Sequence, residues 1–68
     1  MRIAKELVKQ FIHGKRQVID GRKVYCVIKY LNANGQEIYA AHFTARGHRS
    51  FMNTFVDYDP KIIWGNKK

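Results

Sequence analysis

From Ile3 to Ile12 the apolar side chains fall at Ile3, Ala4, Leu7, Val8, Phe11 and Ile12. This is the i, i+4, i+8 double stripe of an amphipathic helix, and it predicts a helix over residues 3–13. Gly14 supplies the stop signal. The outer side of this helix carries Arg2, Lys5, Glu6, Lys9 and Gln10.

The pattern then changes from helical to alternating. Asp20-Gly21 and Asn34-Gly35 are the pairs that two-residue type I′ hairpin loops favour, because both central positions need positive φ. With Asn34-Gly35 as the loop, Tyr30 lies across from Tyr39, Ile28 from Ala41, Cys26 from Phe43 and Val24 from Ala45, all on one apolar face. The other face pairs Leu31 with Ile38, Lys29 with Ala40, Val27 with His42 and Tyr25 with Thr44. A slip of one residue would set the apolar face of one strand against the mixed face of the other. The Asp20-Gly21 loop places Val18 across from Lys23 and adds Ile19 to the apolar face. The expectation is a three-stranded antiparallel meander over residues 16–45, packed on the first helix.

Beyond the meander, Arg46-Gly47-His48-Arg49 reads as a basic turn, with Ser50 as the cap of a following helix. Residues 50–58 fit a short helix, with a fourth strand as the alternative, since Phe51 and Phe55 also alternate with Met52, Val56 and Tyr58. Asp59-Pro60 ends that element. Lys61-Ile62-Ile63-Trp64 reads as a short edge strand or an apolar clasp, and residues 65–68 as a polar tail. The whole is one α+β domain spanning residues 1–68.

Composition narrows the function classes. A chain of 68 residues excludes large enzyme architectures and leaves a small core. Thirteen Lys+Arg against five Asp+Glu give a net charge of +8. Residues 1–29 hold eight Lys/Arg and two acids, residues 30–60 two and three, and residues 61–68 three Lys, so the segments carry +6, −1 and +3. Such clustering points to an anionic partner. The single cysteine, Cys26, closes no intrachain disulfide and has no cysteine or histidine at zinc-knuckle spacing, so it reads as a small buried hydrophobe in a reducing compartment. No metal or cofactor is expected. No apolar run approaches the roughly 20 residues of a membrane span, and no secretory segment follows Met1, which points to the cytoplasm and to no membrane role.

Three constellations are candidates for the anionic partner. Tyr25, Lys29 and His42, with Lys23 nearby, set aromatic groups among cations on the mixed sheet face, as single-stranded nucleic acid requires for stacking and phosphate neutralisation. The plainer reading covers that face with a second helix, a tail or a homodimer partner. Arg46, His48 and Arg49 around Gly47 suit phosphate beside a helix start, or are merely a solvated turn. Lys15, Arg16, Arg22 and Lys23, beside His13, gather across the first hairpin, and Lys5 and Lys9 extend the positive surface along the helix. His13, His42 and His48 are the residue type a metal-independent ribonuclease uses, but no spacing forces two of them together and the acids form no dyad. Trp64 is either a core lid or an anchor for a protein partner.

The order of helix, three antiparallel strands and helix resembles in outline the double-stranded-RNA-binding domain over residues 3–58. The second helix is shorter than that family's and lacks its Ala-rich, Lys-rich opening, for which Arg46 and Arg49 are a partial stand-in. The expected function is non-catalytic RNA or DNA binding in a regulatory role, of the kind small basic phage and mobile-element proteins perform in host takeover. The alternative is an inhibitor or adaptor that docks on an acidic surface of a host enzyme, and a ribonuclease is the third reading.

Overall fold

The computed structural model describes residues 1–65. The order is β1 (Arg2–Ile3), α1 (Lys5–Ile12), β2 (Val18–Ile19), β3 (Arg22–Lys23), β4 (Cys26–Leu31), β5 (Glu37–His42), α2 (Ala45–Thr54), a 3-10 turn (Val56–Tyr58) and β6 (Lys61–Gly65). The α+β class stands, but the sheet has four antiparallel strands in the order β1-β5-β4-β6. The hairpin β2-β3 is a separate two-stranded ribbon rather than the first part of a meander. Residues 61–64 form the expected edge strand, extended by Gly65. The expected tail of residues 65–68 therefore loses Gly65 to the strand, and its residues 66–68 lie outside the described residues.

α1 starts two residues later than expected, because Ile3 pairs with Tyr39 in β1, and it ends as its sequence dictates. Gly14 at φ 76° lets its own N–H reach Phe11 O at 3.0 Å and the Lys15 N–H reach Gln10 O at 2.8 Å, the paired bonds of a Schellman cap. The Asp20-Gly21 loop also forms as expected, with φ of 52° and 78° and with Val18 opposite Lys23.

The second hairpin departs from expectation by one residue. Tyr39 faces Lys29, Tyr30 faces Ile38, Ile28 faces Ala40 and Cys26 faces His42. Asn32 is the cause. Its Oδ1 accepts from the backbone N–H groups of Asn34 (2.9 Å) and Gln36 (3.0 Å), and Asn32 N donates to Gln36 O at 3.0 Å. The loop therefore has three residues, Ala33 to Gly35, and only Gly35 among them takes positive φ, at 80°, as in a turn closed by a left-handed glycine.

This shift redistributes the core. Val27 and Ala41 face α1, where they join Ile3, Val8, Phe11, Ile19 and Val24, with Phe11 edge-on to Trp64 at 4.8 Å. Cys26, Ile28 and Ala40 face the other way and meet Phe51 and Met52 of α2. The expected single apolar face, Val24/Cys26/Ile28/Tyr30 with Tyr39/Ala41/Phe43, is thus divided between the two sides of the sheet. Both sides are covered, α1 on one and α2 on the other. The strand sequence permits this because Val24 to Ile28 is apolar at both parities, as in strands buried on both faces.

The cap of α2 lies six residues before the expected Ser50. Thr44 is the cap, its Oγ1 accepting from Gly47 N at 3.0 Å. The segment read as a basic turn is therefore the opening of a helix. His48, Phe51, Met52 and Phe55 face the sheet side, and Phe51 stacks on Phe55 at 4.2 Å beside Tyr30. Asp59, left-handed at φ 53°, ends the 3-10 turn before Pro60. Among the described residues no helix is long and apolar enough to cross a membrane.

Candidate functional site

The basic residues separate into two groups. On the α1 side, Lys5 and Lys9 are exposed. Lys9 lines a shallow depression of about 280 Å³ with Gln10, His13 and Lys15. Arg16 is held by hydrogen bonds from Nε to Gln10 Oε1 (2.8 Å) and from its guanidinium to Val18 O (3.3 Å).

On the α2 side, Arg46 and Arg49 stand exposed, and the helix contains no acidic residue. The ribbon β2-β3 brings Arg22 to the start of this helix, its guanidinium 4.1 Å above the Phe43 ring. Arg22, Phe43, Thr44 and Gly47 line a depression of about 330 Å³ whose floor includes His42. Lys23, Val24, Tyr25 and Phe43 line a neighbouring one of about 340 Å³. Among the described residues, salt bridges engage Lys29 and Lys61 and none of the other cations.

The expected stacking face does not form. The register shift puts Lys29 on the α1 side, 3.5 Å from Glu37, and His42 on the α2 side, where it is 7% exposed. The Tyr39 hydroxyl donates to Glu37 Oε1 at 3.1 Å, and that hydrogen bond, with Lys29, holds the Glu37 carboxyl below its usual range. Tyr25 stays half-buried at the end of the sheet, its N–H on His42 O and its ring 5.9 Å from that of His48. A base cannot lie flat across Tyr25, Lys29 and His42.

His42 and His48, which no spacing was expected to unite, meet beneath α2. Their Nδ1 atoms are 2.9 Å apart, and Cys26 Sγ lies 3.3 Å from His48 Nδ1 and 3.7 Å from His42 Nδ1. β4 contributes the thiol, β5 and α2 the imidazoles. Cys26 is fully buried, and burial pushes its thiol up to about 11. Burial, followed by the facing His48, brings His42 down to about 4. Burial thus favours the neutral form of both groups. His42 Nε2 is buried with no hydrogen-bond partner among the described residues. His13 lies far along the chain at the end of α1, exposed.

The cluster is hidden in the sequence because Cys26 has no cysteine or histidine near it along the chain. Its signal was the spacing of His42 and His48, with five residues between them at the long end of that used in zinc sites. Cys26 could be added only once the strand register was known. Comparison with protein-family models, with curated proteins and with solved structures gives no significant match.

Proposed function

We propose that this protein binds RNA or DNA without catalysing a reaction, and that the outer face of α2 is the surface that meets the phosphates. The observation that carries the reading is the placement of Arg46 and Arg49 in a helix without acids. Arg46 sits in the first turn, where the helix dipole disfavours a cation by about 0.3–1 kcal/mol. A bound phosphate would relieve that conflict through both the guanidinium and the helix start. Arg49 lies three residues on and Asn53 seven, so the three share one face, and Asn53 adds an amide able to read a base edge or bond a phosphate.

Paired substitutions test the assignment. Arg46→Gln with Arg49→Gln should weaken binding to a duplex or single strand and reduce its salt dependence by about one to two phosphate contacts. Lys5→Gln with Lys9→Gln, on the opposite side of the sheet, should have a smaller effect. Equal losses from the two pairs would remove α2 from its role. RNA incubated with pure protein should stay intact.

An acidic protein surface is the second reading, favoured by β6. It is a sheet edge, and Ile62 on it is exposed, so a partner could add a strand there with Lys61 near its acids. Loss of partner capture on Ile62→Lys, with nucleic-acid affinity unchanged, would favour it.

A further inference from the structure

We propose that Cys26, His42 and His48 form a binding site for a Zn²⁺-class metal ion, which pins α2 to the sheet. Three observations converge on it. The separations fit one ion: with Zn–S about 2.3 Å and Zn–N about 2.0–2.1 Å, a tetrahedral centre spaces sulfur from nitrogen by about 3.6 Å and nitrogen from nitrogen by about 3.3 Å. The cluster shows 3.7 and 3.3 Å for the first and 2.9 Å for the second. Shifts of a few tenths of an ångström bring all three atoms onto a common centre.

The second observation concerns protons. Each imidazole Nδ1 has one in-plane position, holding either a hydrogen or a lone pair. In the triangle of Sγ and two Nδ1 atoms, one nitrogen must donate and the other accept along their 2.9 Å edge. The two remaining edges then compete for a proton and a lone pair already in use. Hydrogen bonding therefore cannot satisfy all three short contacts with undivided bonds. A cation can, because a single ion accepts one lone pair from each of the three atoms at once, with the Cys26 proton released to solvent as the thiolate forms.

The third is placement. The ligands come from β4, β5 and α2, fixed by the Cys26–His42 strand pairing and by the Thr44 cap. Thiolate with imidazole selects zinc-like cations over Mg²⁺ and Ca²⁺. Three protein ligands leave a fourth position for water, and one of the three, His42, also lines the depression beside Thr44 and Gly47. Among the described residues His42 Nε2 has no partner, so coordination at Nδ1 forfeits no hydrogen bond there. Packing on the Phe51 ring at 4.7 Å orients His42 instead.

Cobalt(II) titration of the chelator-stripped, reduced full chain is the test. One equivalent should give a thiolate-to-metal charge-transfer band and the visible spectrum of a four-coordinate ion, both displaced by Zn²⁺. Zn²⁺ should also raise the melting temperature, since it binds only the folded state. Cys26→Ser should abolish the charge-transfer band. His48→Gln, at a half-buried helix position, should fold and bind at least about 10-fold more weakly. Absence of the band in the wild-type chain, folded by circular dichroism, would overturn the site. Binding equally tight in folded His48→Gln would overturn it as well.

Discussion

Gly65 shows how closely the strands around Cys26 fit. It pairs with Cys26 at φ 99°, and a Cβ there would lie 2.6 Å from Tyr25 O and 2.7 Å from Cys26 Cα. Gly65→Ala meets a backbone it cannot displace cheaply, in a conformation that costs about 1–3 kcal/mol for a side chain. Urea unfolding should show at least that loss, and unchanged stability would mean β6 is not seated on β4. Glu37 offers a milder check at the opposite end of the sheet. Because its folded pKa is lowered, chiefly by the Tyr39 hydroxyl and then by Lys29, its contribution to stability is present above the usual glutamate range and lost as pH falls through the folded value. Carboxyl NMR should find Glu37 titrating below an ordinary glutamate, and Tyr39→Phe should move it back up. No upward movement would remove the hydroxyl as the main cause.

α2 is the element on which both proposals turn. Thr44→Ala removes the hydroxyl that accepts the Gly47 N–H and should cost about 1 kcal/mol in denaturant unfolding. Arg46→Glu should act in the opposite direction, stabilising the fold by about 0.3–1 kcal/mol through the helix dipole while weakening nucleic-acid binding. A variant that gains stability and keeps full affinity would show that Arg46 is not a contact. Elements set by local chemistry were legible in the sequence: the α1 stripe with its Gly14 cap, the Asp20-Gly21 turn and the edge strand after Pro60. The β4-β5 register was not, because Asn32 closes a three-residue loop by accepting two backbone bonds, a choice the Asn34-Gly35 pair conceals. Apolar residues at both parities of β4 then removed the pattern check, since either register buries a usable face. The basic side chains of the candidate site could be named from sequence. Their partition between opposite sides of the sheet, and the union of Cys26 with His42 and His48, follow only from that register.

Across the whole molecule, positive charge is divided between the α1 side and the α2 side, with the ribbon carrying Arg22 towards α2. A nucleic acid lying against one side neutralises part of the +8 charge, so the salt dependence of binding should report the cations of one face rather than all of them. The most direct measurement is a titration of the purified protein against single- and double-stranded RNA and DNA at about 50 and 200 mM salt. Nucleic-acid binding through α2 requires submicromolar affinity for one of them that weakens by orders of magnitude yet persists at the higher salt, and that Arg46→Gln/Arg49→Gln impairs. Uniformly weak binding to all four, gone at the higher salt and indifferent to that variant, would contradict it.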